Sequence, residues 1–181
     1  INSTALTDEQ SPQHHAMQWV CEHDPGKLEP DDEAFLTRYS LAVLFYATSG
    51  RSPSETTMEQ TDWINQTNWL TEVGYCSWYG ITCVDEEYNL EVDVNGEILQ
   101  IELSQNFLRG TLPDELSALT DVLGFHFDSN FLRGTIPSYF ALLTNLRHLW
   151  LSDNQLKAGI PAELGSIVEL RELTLAANTL T

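Results

Sequence analysis

An α/β solenoid, closed at its N-terminal end by a mostly helical cap, is the fold class this sequence predicts, and three features predict it. Asn106, Asn130, Asn154 and Asn178 recur every 24 residues. Each follows the same apolar spacing: Ile98, Ile101, Leu103; Val122, Phe125, Phe127; Leu146, Leu149, Leu151; Leu170, Leu173, Leu175. Upstream of residue 98 the period is absent, and that stretch holds Cys21, Cys76 and Cys83 together with four of the five tryptophans. The expected organisation is a capping domain over 1–97 and about four repeats over 98–181, the last incomplete.

Taken in chain order, the first expected element is a short helix with Ser11 as N-cap and Pro12 at its first position, running toward Cys21. A longer helix starts at Pro30, where Asp31, Asp32 and Glu33 suit the positive end of the helix dipole, and stops near Gly50. Phe35, Tyr39, Val43 and Tyr46 fall near one face of it, which is expected to cover the first coil. Asn95-Gly96, flanked by alternating apolar residues, predicts a hairpin turn.

Within each repeat the alternation describes a short strand with every second side chain pointing inward, ended by a turn. The asparagine amide both donates and accepts, so a stacked column Asn106, Asn130, Asn154, Asn178 is expected to satisfy backbone groups stranded at the bend. Gly110 and Gly134 supply backbone freedom after it, and Pro113, Pro137 and Pro161 restrict the segment that follows. At the third repeat Ala158 stands in the glycine position with Gly159 next, so that turn is expected to differ slightly.

Composition bounds the function. The net charge of −19 divides into −15 over residues 1–97 (18 acids, 3 bases) and −4 over residues 98–181 (9 acids, 5 bases). Such a field repels phosphate backbones and anionic lipid, which excludes nucleic acid as a partner class and leaves cationic partners or weak surface calcium open. The longest apolar run, Leu41 to Ala47, is too short to cross a bilayer, so no membrane contact is expected within this segment. Asn2-Ser3-Thr4 and Asn65-Gln66-Thr67 are glycosylation sequons, which fits a secretory route. Ile1 follows no apolar stretch, and the chain reads as already processed or excised from a longer one.

The strings Leu108-Arg109-Gly110-Thr111-Leu112-Pro113 and Leu132-Arg133-Gly134-Thr135-Ile136-Pro137, set in the 24-residue period, resemble the plant-type leucine-rich repeats of receptor ectodomains and secreted inhibitors. Cys76-Ser77-Trp78-Tyr79-Gly80-Ile81-Thr82-Cys83, with Trp63 and Trp69 ahead of it, resembles the N-terminal cap of the same proteins. Arg38 to Tyr46 is similar to cell-surface repeat proteins of diatom-like algae. The resemblance implies a right-handed leucine-rich-repeat superhelix with its parallel sheet on the concave face, a Cys76–Cys83 disulfide in the cap, and an extracellular or cell-surface location. Cys21 is then left to pair with a cysteine outside this segment or to stay buried.

Candidate ligand-binding positions lie between the inward residues of the strands, where they face the concave surface. They form columns: Gln100, Gly124, His148, Glu172; Glu102, His126, Trp150, Thr174; and Ser104, Asp128, Ser152, Ala176. Trp150 stands out, because aromatic anchors dominate interface energetics. Phe107 and Phe131 sit just past the strands and are expected to stack on one another. His14, His15, Cys21, Glu22 and His23 follow no metal-ligand spacing, and Asp85-Glu86-Glu87 reads as a solvated turn, so neither metal nor cofactor is expected.

The expectation is a non-enzymatic ectodomain that binds a protein, peptide or glycan, with a structural or adhesive matrix protein as the alternative. The C-terminal end, which stops after Asn178 and Leu180 without a closing element, reads as an interrupted array with Leu170, Leu173, Leu175 and Leu180 facing outward. Further repeats or self-association through that end are the two ways of covering it.

Overall fold

The computed structural model describes residues 3–24, 27–28, 32–49, 63–84 and 96–181. The alternation of inward and outward residues makes strands β2 (Glu97–Glu102), β4 (Gly124–His126), β6 (His148–Trp150) and β8 (Glu172–Thr174). They pair parallel and in register, Gln100 beside Gly124, then His148, then Glu172. β1 (Ile81–Val84) closes the first edge of this sheet antiparallel to β2, while the Asn95-Gly96 turn expected between them lies outside the described residues at Asn95. Asp85-Glu86-Glu87 lies outside them as well.

A second parallel sheet, unexpected from the sequence, is built from β3 (Arg109–Gly110), β5 (Phe131–Gly134), β7 (Gln155–Ala158) and β9 (Thr179–Leu180). Its signal was present as the alternation of outward Phe131 and Arg133 about inward Leu132. The runs are short, and glycine and proline beside them suggested turns. After Pro113, Pro137 and Pro161 the chain makes 3-10 turns over Asp114–Ala118, Ser138–Leu142 and Ala162–Ser166, burying Leu116, Phe140 and Leu164.

The bends between the sheets are held by the asparagines. Asn130 accepts through Oδ1 from the amides of Asn106 and Leu108, both at 3.0 Å, and donates through Nδ2 to the carbonyls of Leu103, Phe127 and Asp128. Asn154 and Asn178 repeat the pattern, accepting from Leu132 and Leu156 and donating to Phe127 and Leu151. The column reaches into the cap, where Asn106 accepts from the Asn65 amide at 2.7 Å and donates to the Asn65 carbonyl at 2.9 Å. Gly110 and Gly134 adopt φ of 89° and 87°. Ala158 takes up the same left-handed conformation at φ 65°, so the third turn does not depart as expected. Pairing of Ala158 with Leu180 in the second sheet holds it there despite the Cβ.

In the cap, α1 (Ser3–Thr7) and α2 (Pro12–Gln18) lead into a π-type turn over Trp19–His23, with the Ser11 hydroxyl accepting from the His14 amide at the start of α2. α3 (Glu33–Ser49) begins with Asp32 accepting from the Ala34 amide. It differs from the one-faced helix expected, because Arg38 to Leu44 are buried all the way round. The reason is that α2 packs on one side and β3 and the 3-10 turn over Asp114–Ala118 on the other. Approach to the coil is close: a Cβ on Gly110 would lie 2.1 Å from the Ala47 carbonyl oxygen. One buried apolar cluster therefore runs from Ala16 in the cap to Ile167 in the repeats, sealed at the cap by Trp63, Trp69 and Trp78.

Cys76 and Cys83 form the disulfide, with Cα atoms 5.5 Å apart. Cys21 is exposed on the π-type turn and forms no disulfide among the described residues, which corrects the expectation of burial. Leu170, Leu175 and Leu180 of the last coil pack against the buried cluster but stay only partly buried, and Leu173 of that set is exposed.

Candidate functional site on the concave sheet

The outward positions of β2, β4, β6 and β8 meet on one face because the four strands share a register. At its centre the rings of His126 and Trp150 stack 4.0 Å apart with planes 14° from parallel. Gly124 makes this arrangement possible. A Cβ at Gly124 would stand 3.2 Å from His126 Nε2 and 3.6 Å from the side chains of Gln100 and His148. Sequence reasoning took Gly124 as one more column member and missed its role as the floor beneath the imidazole.

Carboxylates edge the platform. Glu172 accepts from Trp150 Nε1 at 3.1 Å, tethering the indole, and Glu102 lies 3.7 Å from His126 Nδ1. Asp128 accepts from the Ser104 hydroxyl, and His148 lies beside His126 with centroids 6.1 Å apart. Burial lowers the His126 pKa below its ordinary 6.5; Glu102 opposes that shift and His148 adds to it. The imidazole is therefore neutral at neutral pH, and its buried Nε2 has no hydrogen-bond partner. Thr174 is exposed on β8 at the far side of Trp150.

A family model described as Leucine Rich Repeat matches residues 145–167. A crystal structure of PEPR1 with AtPEP1 aligns over 78% of this chain and 18% of that one at 28% identity, with a TM-score of 0.58. The fold is a plant-type leucine-rich-repeat solenoid. The BIR2 ectodomain from Arabidopsis thaliana shares it at 24% identity over 84% of this chain and 70% of that one, TM-score 0.57. So does the ectodomain of the receptor kinase SOBIR1 from the same plant, at 22% identity over 59% of this chain and 58% of that one, TM-score 0.52. The solenoid thus spans less than a fifth of the PEPR1 chain and more than half of the SOBIR1 one. No curated protein sequence matches it.

The remaining candidate residues of the solenoid lie apart from the platform. Asn65 is half-buried in the cap, its Oδ1 accepting from the Thr67 amide at 3.0 Å and the Thr67 hydroxyl at 2.7 Å; Asn2 lies outside the described residues. The His14 ring faces the Leu6 carbonyl at 2.9 Å and His15 packs on Tyr46. Among the described residues, no three His, Cys, Asp or Glu side chains converge in a metal-binding arrangement. No helix among them is long and apolar enough to cross a membrane.

Proposed function

We propose that this solenoid is an extracellular recognition module whose concave sheet binds a peptide or protein ligand, and that the Trp150–His126 platform receives a basic side chain of that ligand. The observation that carries this reading is a flat, tethered aromatic face edged by Glu102 and Glu172, with no lysine or arginine in any of the three concave columns. A guanidinium or ammonium laid over the indole gains cation–π attraction while a neighbouring carboxylate accepts its hydrogen bonds. The neutral His126 adds ring surface without adding repulsion. PEPR1, which shares the fold, is crystallised with AtPEP1, and that likeness supports binding as the activity of the module.

The test is a titration with a short extended peptide carrying arginine and lysine, read by tryptophan emission and by calorimetry, beside its glutamine counterpart. The basic peptide is expected to bind and Trp150→Ala to weaken it by about 2 kcal/mol or more. Equal binding of the glutamine peptide, or an unchanged affinity in Trp150→Ala, contradicts the assignment.

A further inference from the structure

The outer face of the second sheet carries the opposite charge. Phe107 and Phe131 are each 37% exposed there, their rings edge to face at 5.2 Å. Arg109 lies over Phe131 with Cζ 4.9 Å from the ring centroid, while Arg133 and Lys157 point outward from β5 and β7. Three of the five bases in residues 98–181 therefore share one small surface in a chain of net charge −19. Among the described residues no acid pairs with any of the three, and Arg109 Nε is buried without a hydrogen-bond partner. A guanidinium flat on a ring keeps its terminal Nη donors free for a carboxylate.

Register sets the spacing of these cations. Arg109 sits beside Phe131, Arg133 beside Gln155 and Lys157 beside Thr179, so each base is one strand across and two residues along from the last. Strand separation and residue rise then place successive bases roughly 8 Å apart on a diagonal. Alternate side chains of an extended peptide lie roughly 7 Å apart on one face, a difference that the long arginine and lysine arms take up. Phe131 fills the corner between Arg109 and Arg133, and Phe107 packs against it at the end of the row.

From this juxtaposition we infer that the outer face of the second sheet docks an extended acidic peptide segment of a partner protein, with Arg109, Arg133 and Lys157 binding alternate carboxylates across Phe107 and Phe131. The surface is separate from the concave platform and has the reverse charge preference, so one coil can hold two ligands of opposite sign.

Fluorescence anisotropy with a labelled peptide of alternating glutamate and threonine tests this, with the glutamine–threonine peptide and a soluble polyuronate as comparisons. The acidic peptide is expected to bind, to weaken as salt rises, and to lose about tenfold or more in affinity with Arg133→Glu/Lys157→Glu. Arg133→Gln/Lys157→Gln is expected to fall between, and Trp150→Ala to bind as the unaltered protein does. Both exposed positions should leave the melting temperature unchanged, and circular dichroism checks that. Failure of the acidic peptide to bind, equal binding of the glutamine peptide, or indifference to charge reversal overturns the inference. Capture of the polyuronate without the peptide overturns it in favour of a glycan.

Discussion

Arg38 and Asp24 form a two-pronged ion pair inside the cap, Nε to Oδ2 at 2.7 Å and Nη2 to Oδ1 at 2.8 Å, with both side chains almost wholly buried. The remaining guanidinium donors reach the carbonyls of Thr71 at 2.8 Å and Val73 at 3.1 Å, and its faces lie against Trp19 and Trp78. One side chain thus ties α3 to the π-type turn and to the loop that precedes the disulfide. Removing one partner leaves the other charge buried and unmatched, so Asp24→Ala is expected to cost roughly 3–5 kcal/mol. The double change Arg38→Met/Asp24→Leu should cost less than that single one. Urea unfolding of the three proteins decides it, and a double variant at least as unstable as Asp24→Ala contradicts the pairing argument.

Asn130→Ala removes an amide that both accepts from and donates to the backbone at a buried bend, leaving the Asn106 and Leu108 amides unpaired. A loss of roughly 1–3 kcal/mol is expected, read as a fall of several degrees in melting temperature. Glu102→Ala, on the exposed side of the same coil, should leave the melting temperature nearly unchanged.

Opening the Cys76–Cys83 bridge frees a short loop in the unfolded chain and is expected to remove about 2.5 kcal/mol. Alkylation of the folded, oxidised protein should label Cys21, which is exposed, and neither of the bridged cysteines. Peptide mapping reads the labels. Modification of Cys76 or Cys83 under those conditions is the contrary result.

Acid should destabilise the fold before the carboxylates titrate. Burial lowers the pKa of His126, and burial with the neighbouring His14 lowers that of His15, both from an ordinary 6.5. The unfolded chain takes up these protons near that value and the folded chain only below it, so the stabilising contribution is complete above 6.5 and is lost as pH falls through the lowered values. Melting temperature is expected to drop between neutrality and about pH 5. A ring-proton NMR titration assigns the effect, and a His126 midpoint at or above 6.5 would contradict it.

How far the coil was legible in the sequence follows from the range of its contacts. A 24-residue spacing places Gln100 beside Gly124 and Asn106 beside Asn130 wherever the array begins, so strands, bends and concave columns follow from one chain read against itself. What only the tertiary structure decided depends on segments that share no period. The first asparagine of the column clamps Asn65, 41 residues upstream, and Arg38 meets Asp24, 14 residues before it. The apolar run of α3 is buried on every side because coil and α2 converge on it. Within the repeats, the aromatic stack was invisible in the same way: register put His126 beside Trp150, but only side-chain packing over the bare backbone of Gly124 turned the two rings parallel.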